Sequence, residues 1–233
     1  MELSEIVPVP DVGRIFRDGF RPGVHDAAPS GRVRMDALAR WVQDLAYRDV
    51  EDAGVSDLSA WVVRRMRIRV QSFPRFGDDI EALTFCSGAG RLWAERRVTF
   101  RSEHGVVEIA GVWVHLSPAT RLPVPMPESF DQIYAPSTLG RKVKARLRHP
   151  NPTGGEPDAP WFFRRADADL AEHVNNAAYW EAIEETLGDP GSVDAEIEFR
   201  EPAQPGPALL VRGAEATWVT AEDGRVHASV VFG

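Results

Sequence analysis

The fold is decided by residues 35–70, which read MDALARWVQDLAYRDVEDAGVSDLSAWVVRRMRIRV. Apolar residues recur at helical spacing in the first half of this stretch, at Met35, Leu38, Val42, Leu45 and Ala46, and the pattern stops near Gly54. This spacing predicts one long amphipathic helix over residues 35–53. In RRMRIRV the period falls to two, because apolar and arginine side chains alternate. That alternation is typical of a strand with one buried face.

Three further β-rich runs follow this helix and strand. They read DDIEALTFCS, LWAERRVTFRS and VVEIAGVWVHLS, and the turn-forming segments SGAGR and SEHG separate them. Consecutive strands joined by short turns favour an antiparallel meander. A helix followed by such a meander predicts an α+β unit.

The same plan recurs later in the chain. A helical pattern through Val174, Ala178, Ile183 and Leu187 ends at Gly188, and four short β-rich runs follow it. HDAAPSGRV resembles RADADLAEHV at an offset of 141, and SFPRFGDDI resembles EPAQPGPAL at an offset of 129. We therefore predict that the chain contains its fold twice, in two tandem units that share an interface. The alternative is two unrelated α+β domains.

The tandem interpretation sets the domain boundaries. We predict an N-terminal domain over residues 1–130, a linker over 131–159 and a C-terminal domain over 160–233. The linker is rich in Pro and Gly around the basic stretch RKVKARLRH, which suits a long crossing segment.

Composition narrows the class of protein. The chain has 233 residues, of which 43% are hydrophobic, and 35 acidic against 27 basic side chains give a net charge of -8. These values predict a globular protein and argue against nucleic-acid binding, which needs clustered positive charge. No window has the ~18 apolar residues of a membrane span, and MELSEIVPVP lacks the features of a signal peptide. We therefore expect no membrane span and a cytoplasmic location.

Several catalytic signatures are absent from the sequence. It has no GxSxG, GxxxxGK[ST], HExxH, GxGxxG or paired CxxC motif. Five of the histidines are scattered without ligand-like spacing, namely His25, His104, His115, His149 and His227. We therefore expect neither a metal nor an organic cofactor. The single cysteine, Cys86, lies in an alternating run and is interpreted as a buried thiol.

One stretch concentrates polar side chains, residues 164–180, which read RRADADLAEHVNNAAYW. Its polar members are Asp167, Asp169, His173, Asn175 and Asn176. Capping of the second helix accounts for one or two of them. We expect the amides near Val174 and Asn175 to stabilise an oxyanion at the helix start. Asp169 would then align water or attack a thioester carbonyl itself, while His173 hydrogen-bonds or shuttles a proton.

The pattern DxDxxxHVNNxxYxxxxxE in this stretch resembles the acyl-ACP thioesterases of plants and bacteria. RIRVQSFPRFGDDIEALTFC, GRLWAERRVTF, GVWVHLSPATRLPVPMPESF and EIEFREP add to the resemblance. It implies a double hot-dog fold, in which each antiparallel sheet wraps around one long helix. It also implies hydrolysis of fatty acyl-ACP to free fatty acid within fatty acid biosynthesis. By position, Asp169, His173 and Glu201 correspond to the family's catalytic residues.

The sequence departs from the family pattern at two positions. Ala171 stands where the family has an asparagine, and Pro202 stands where it often has a cysteine. Glu172 or water can take the place of the asparagine, or the enzyme is slow. Two alternative functions therefore stay open, an acyl-CoA thioesterase and a catalytically silent acyl-binding protein. A hot-dog dehydratase or hydratase is disfavoured because no hydratase motif is present.

The first unit lacks the catalytic residues, since Ala28, Arg32 and Ser72 align with Asp169, His173 and Glu201. We expect it to bind the acyl chain in a slot lined by Trp41, Leu45, Trp61, Met66 and Phe85. The alternative is that these five are ordinary core residues. The loop residues Val174, Asn175 and Asn176 are predicted to contact the substrate.

The resemblance implies that the partner is an acyl carrier protein. Carrier proteins that resemble those of fatty-acid synthesis are acidic. A basic strip would dock it, formed by Arg141, Lys142, Lys144, Arg146 and Arg148. The alternative is that this strip is only a solvated linker. The oligomeric state is expected to be a monomer or a homodimer.

Overall fold

The computed structural model describes residues 2–55, 60–152 and 157–233. The first half contains β1 (Phe16–Phe20), α1 (Met35–Asp52), β2 (Ala60–Ser72), β3 (Ile80–Ala89), β4 (Trp93–Arg101), β5 (Val106–Leu116) and α2 (Glu128–Tyr134). The second half contains β6 (Ala159–Phe163), α3 (Ala178–Leu187), β7 (Val193–Phe199), β8 (Gly206–Arg212), β9 (Thr217–Thr220) and β10 (Val226–Phe232). In both halves the long helix is followed by four strands, as predicted. The strands β1 and β6, which precede these helices, and the helix α2 were not predicted.

All ten strands belong to one sheet, in the order β1-β3-β4-β5-β2-β7-β10-β9-β8-β6. The order is symmetric about the contact between β2 and β7, which pair antiparallel from Arg65 opposite Glu198 to Val70 opposite Val193. Each half thus contributes five strands, and every strand of one half has a counterpart in the other. This confirms the prediction of a double hot-dog in the α+β class.

Equivalent loops precede the two long helices. Their matching backbone hydrogen bonds are Ala28 N–H to Arg32 O and Asp169 N–H to His173 O, then Val33 N–H to Pro74 O and Val174 N–H to Ala203 O. Asp169 therefore matches Ala28 at the offset of 141, and Ala203 matches Pro74 at the offset of 129. The sequence alignment of the two units is confirmed at the level of individual hydrogen bonds.

The two central helices pack on the inner face of the sheet. The helix predicted over residues 35–53 is α1, and its apolar side chains are buried. The second helix was predicted to include Val174, but α3 begins at Ala178. Val174 instead pairs with Ala168 in an isolated bridge, and this pairing holds the chain extended ahead of the helix. Within the described residues, no helix combines the length and apolar character of a membrane-crossing segment.

The predicted linker crosses the outer face of the sheet. Its predicted start at residue 131 falls inside α2, so helical structure continues a short way into it. Further on, the carbonyl of Val143 accepts a hydrogen bond from Trp93 on β4, and the carbonyl of Pro150 accepts one from Trp218 on β9. The segment between them therefore spans both units.

An ionic network lies between this segment and the sheet. Arg65 on β2 donates to the carbonyls of Lys144 and Arg146, and its guanidinium lies 3.7 Å from Glu196 and 3.6 Å from Glu198. His149 joins these two glutamates in a cluster whose ligand atoms lie within 4.8 Å of one another. Arginine side chains already supply positive charge to this cluster, which therefore acts as an ionic anchor for the linker. Sequence spacing did not indicate it, because the sheet brings these residues together.

Candidate active site

The polar stretch around Asp169 lies where the two units meet. Its loop precedes α3, contacts α1 of the first unit through Asn175, and hydrogen-bonds to the turn around Ala203 through Val174. Arg121, in the chain that leaves β5, also reaches this loop and donates to the carbonyl of Ala171 at 3.4 Å. The candidate site is therefore built from both halves of the chain.

Asp169 presents an exposed carboxylate that is held by two donors. Its Oδ1 accepts the backbone N–H of Ala171 at 2.9 Å, and its Oδ2 accepts the side-chain amide of Asn175 at 3.1 Å. Hydrogen bonds to a carboxylate fix its orientation while leaving lone pairs available for a reacting molecule. Although Ala171 provides no side-chain amide, Asn175 gives Asp169 an amide donor.

Asn175 connects this carboxylate to the first unit. Its side-chain amide forms a reciprocal pair with Gln43 of α1, at 2.9 and 3.0 Å. Its Oδ1 also accepts the backbone N–H of Ala177 at 2.8 Å, just before α3 begins. The Asn175 side chain therefore connects Asp169, the first unit and the backbone that leads into α3.

The prediction that the amides of Val174 and Asn175 stabilise an oxyanion is wrong. The N–H of Val174 donates to Ala203 O at 2.9 Å and the N–H of Asn175 donates to Asp167 O at 2.8 Å, because the loop folds back on itself before the helix starts. Neither amide is free to bind a substrate oxygen. For the next amide along, that of Asn176, no described residue provides an acceptor. It is the remaining candidate donor in this turn.

The other two predicted catalytic residues lie in neighbouring segments. His173 is half-buried, and its carbonyl closes the loop by accepting the N–H of Asp169 at 2.9 Å. Glu201 is exposed and lies two residues before Ala203, whose N–H donates to the Tyr179 hydroxyl at 3.1 Å. Burial raises the pKa of Tyr179 to about 12, so this anchor stays neutral. The segments that carry the three predicted residues thus meet around the Val174 backbone.

Backbone strain occurs in the same loop. Glu172 has a φ of 62°, in the left-handed region, where the first unit has Gly31 with a φ of 85°. A non-glycine residue costs roughly 1–2 kcal/mol in this conformation. The second unit therefore keeps a strained residue between Asp169 and His173.

A cavity of about 240 Å³ lies within the first unit, and it is connected to this loop through Gln43, a lining residue that binds Asn175. One wall is the face of α1 that carries Gln43, Ala46 and Val50, so the cavity begins at the residue that binds Asn175. Three aromatic side chains also line the cavity, those of Trp61, Trp113 and Phe130. Residues of β3 and β4 complete the wall, among them Cys86, Ala94 and Arg96. A largely apolar hollow that ends at a polar junction suits a ligand with an apolar tail and a polar head.

The predicted acyl slot is corrected in part. Trp61 lines the cavity, but Trp41 does not, and neither do Leu45, Met66 and Phe85. Trp41 stacks on Phe20 at 5.3 Å between ring centroids and meets Phe100 edge-on at 5.9 Å. Trp41 is therefore a core residue, because β1 covers it. The helical spacing alone did not indicate this contact.

Cys86 also borders the cavity. Its thiol is buried, as predicted, and burial raises its pKa to about 11. The group is therefore protonated near neutral pH and is a poor nucleophile. Cys86 is therefore not a candidate nucleophile, whereas Asp169 and Glu201 carry exposed carboxylates.

Sequence reasoning missed two residues here, Gln43 and Arg96. Gln43 interrupts the apolar side of a helix, and Arg96 interrupts an alternating strand in which Ala94 and Val98 are buried. A polar side chain on a core-facing position is the signal that was available for both.

Comparison with known proteins identifies the family of this chain. The family model of the acyl-ACP thioesterase N-terminal domain matches residues 13–134, and that of the C-terminal domain matches residues 157–206. The Mycobacterium tuberculosis protein Rv2001 is 28% identical over 215 residues, covering 89% of this chain and 85% of that protein. The chloroplastic oleoyl-acyl carrier protein thioesterase 2 of Arabidopsis thaliana is 23% identical over 202 residues. That match covers 72% of this chain and 54% of the plant protein.

Solved structures support the fold. An acyl-ACP thioesterase from Bacteroides thetaiotaomicron superimposes with a TM-score of 0.72 at 17% identity, covering 94% of this chain and 98% of that one. The 12:0-ACP thioesterase from Umbellularia californica gives a TM-score of 0.70 at 18% identity, covering 94% and 96%. Both family models match in the expected order and together cover most of the chain. The chain therefore belongs to the acyl-ACP thioesterase family.

Proposed function

We propose that the protein hydrolyses the thioester of fatty acyl-ACP and releases a free fatty acid. The observation that carries this proposal is the continuous hydrogen-bonded path from the cavity to the reactive group. Gln43 at the cavity binds Asn175, and Asn175 binds the exposed carboxylate of Asp169. An acyl chain in the cavity places its thioester at this junction, with the pantetheine arm directed to the surface.

The proposed chemistry uses only side chains and water. Asp169 either takes a proton from the attacking water or attacks the carbonyl carbon itself, in which case water later cleaves the resulting anhydride. Both routes form a tetrahedral oxyanion, for which the Asn176 amide is the proposed donor. The C–S bond then breaks, and His173 delivers a proton to the departing thiolate. In the first route His173 regains this proton from Asp169, which took it from water, and in the second it regains it from the water that cleaves the anhydride. Glu201 is proposed to position water from the adjacent turn.

The Gln43–Asn175 pair supplies a first test. Gln43→Leu keeps the approximate side-chain volume but removes both hydrogen bonds to Asn175, so Asp169 loses its orientation. Loss of one to two such bonds at about 1–3 kcal/mol predicts a fall in kcat of roughly tenfold to a hundredfold. Steady-state thiol release from an acyl-ACP measures it. Asp44→Asn on the exposed side of α1 is the matched control, and equal kcat in both variants would exclude a role for the pair.

The carrier is proposed to dock on part of the basic strip. Arg141 and Arg148 at its ends pair with the buried carboxylates of Glu95 and Glu196. Lys142, Lys144 and Arg146 alternate as exposed residues along the extended segment. These three charges are therefore free to meet an acidic carrier.

Charge reversal tests this docking surface. Lys142→Glu combined with Lys144→Glu is expected to raise KM for acyl-ACP at least severalfold at low salt, because like charges now oppose the carrier. The KM for the matched acyl-CoA should not change, and high salt should reduce the difference. Arg17→Glu with Arg101→Glu, exposed on β1 and β4, controls for net charge. An unchanged KM for acyl-ACP at every salt concentration, or a wild type that prefers acyl-CoA, favours the acyl-CoA thioesterase instead.

A further inference from the structure

Arg96 places a charged side chain on the wall of the cavity. It lies on the inner face of β4, where Ala94, Val98 and Phe100 are buried and apolar. Desolvating a guanidinium among such groups is costly unless its donors are used. The hydrogen bonds of Arg96 therefore indicate what the cavity is built to contact.

Protein acceptors use only part of this guanidinium. Its Nη1 donates to Asp49 on α1 and to the Thr84 hydroxyl at 3.1 Å. The Tyr134 hydroxyl is a further hydrogen-bond partner of Arg96. Within the described residues, the other donors of the guanidinium meet no carboxylate or carbonyl, and 11% of the Arg96 side chain is exposed. Since Arg96 lines the cavity, these donors are available to an acyl chain there.

The charges around Arg96 indicate that the ligand atom accepting its hydrogen bond is neutral. Asp49 is fully buried and also accepts Arg14 Nε at 2.6 Å, and Arg14 in turn binds Asp52 at 2.6 Å. Two arginines thus face two aspartates, and Glu95, which also lines the cavity, pairs with Arg141, so these charges cancel. A ligand carboxylate in the cavity would add an unbalanced negative charge, whereas a neutral oxygen would not.

The position of Arg96 sets where this oxygen lies. Gln43 marks the reacting end of the cavity, and Asp49 follows it by six residues on α1, about 9 Å at 1.5 Å per residue. With C–C bonds of about 1.5 Å in a zigzag, this distance corresponds to roughly seven bonds of an acyl chain. The cavity of about 240 Å³ is also small for a ligand site, which suits a chain of medium length.

We propose that the cavity selects medium-length acyl chains that carry a neutral oxygen substituent, a hydroxyl or keto group, near their distal end. Arg96 donates a hydrogen bond to that oxygen. The inference rests on the proposed function, because it assigns a substrate class to the same site. A plain chain of equal length leaves buried donors against methylene groups, so discrimination of roughly tenfold or more is expected.

Binding of hydrolysis-resistant analogues tests this inference. Pantetheine amides of octanoic, ω-hydroxyoctanoic and β-hydroxyoctanoic acid are titrated calorimetrically into the wild-type protein. The ω-hydroxy analogue should bind at least tenfold more tightly than the octanoyl analogue, and the β-hydroxy analogue should show no gain. Arg96→Met should abolish the preference, while Arg101→Met at the exposed end of the same strand should keep it.

Equal affinity of the wild type for the octanoyl and ω-hydroxyoctanoyl analogues would overturn the inference, even if Arg96→Met failed to fold. A preference that survives in a folded Arg96→Met protein would also overturn it. If the wild type binds the octanoyl and ω-hydroxyoctanoyl analogues equally and Arg96→Met binds longer unsubstituted chains more tightly, Arg96 limits the chain length instead. If none of the analogues binds, the proposed function itself fails.

Discussion

Asp169→Asn is expected to lower kcat on an acyl-ACP substrate by roughly a thousandfold, because an amide can neither accept a proton from water nor attack the carbonyl. The substitution preserves shape, and the exposed position of Asp169 means that no buried charge is lost. Affinity for a hydrolysis-resistant acyl analogue should therefore change little, since the cavity lies in the first unit. Thiol release measures turnover, and calorimetry measures binding.

Glu222→Gln, at an exposed carboxylate outside the site, is the matched control and should keep wild-type kcat. Thermal unfolding of both variants checks that the fold is intact. If the folded Asp169→Asn protein retained wild-type turnover, Asp169 would have no role in the reaction. The carboxylate of Glu201 would then be the next candidate.

Glu196→Gln is expected to lower the free energy of unfolding by about 3 kcal/mol at neutral pH. Burial alone would raise the pKa of this carboxyl, but hydrogen bonds from His149 and Ser4 and the charge of Arg148 outweigh burial and lower the pKa to about 2. Glutamine removes the charge that Arg65 and Arg148 face. Chemical denaturation at several pH values measures the effect.

The sign of the pH dependence follows from this depressed pKa. The carboxylate stabilises the fold fully above its ordinary pKa of 4.5, and the contribution is lost as pH falls toward 2. The difference in the free energy of unfolding between wild type and Glu196→Gln should therefore be constant near neutral pH and shrink below about pH 4.5. Asp223→Asn is the control, because this exposed carboxylate pairs with Arg225 in solvent. A Glu196→Gln protein as stable as wild type would show that the anchor contributes nothing.

Local periodicity was sufficient to predict most of the fold. The helix at Met35 and the alternation through Ile68 depend on near neighbours in sequence, and the structure has both as predicted. The duplication was also predictable, because the two loops repeat residue types at a fixed offset. The start of α3 was not predictable, because the backbone hydrogen bond from Val174 to Ala203 joins residues that are distant in sequence.

The candidate site was predictable only where residue types are unusual. Asp169 and His173 were identified from a dense polar motif, but the bond between Gln43 and Asn175 joins two units and has no local signal. The same limit applies to Trp41 and Trp61, which have equal apolar character. Only packing against β1 decides that Trp41 is core while Trp61 lines the cavity.

The most direct test of the account is the yield of free fatty acid from a medium-chain acyl-ACP incubated with a small amount of wild-type protein. We expect many moles of fatty acid and free thiol per mole of protein, because Asp169 is regenerated in each cycle. Stoichiometric binding of acyl-ACP with no fatty acid released would contradict the account and identify the protein as an acyl-binding module.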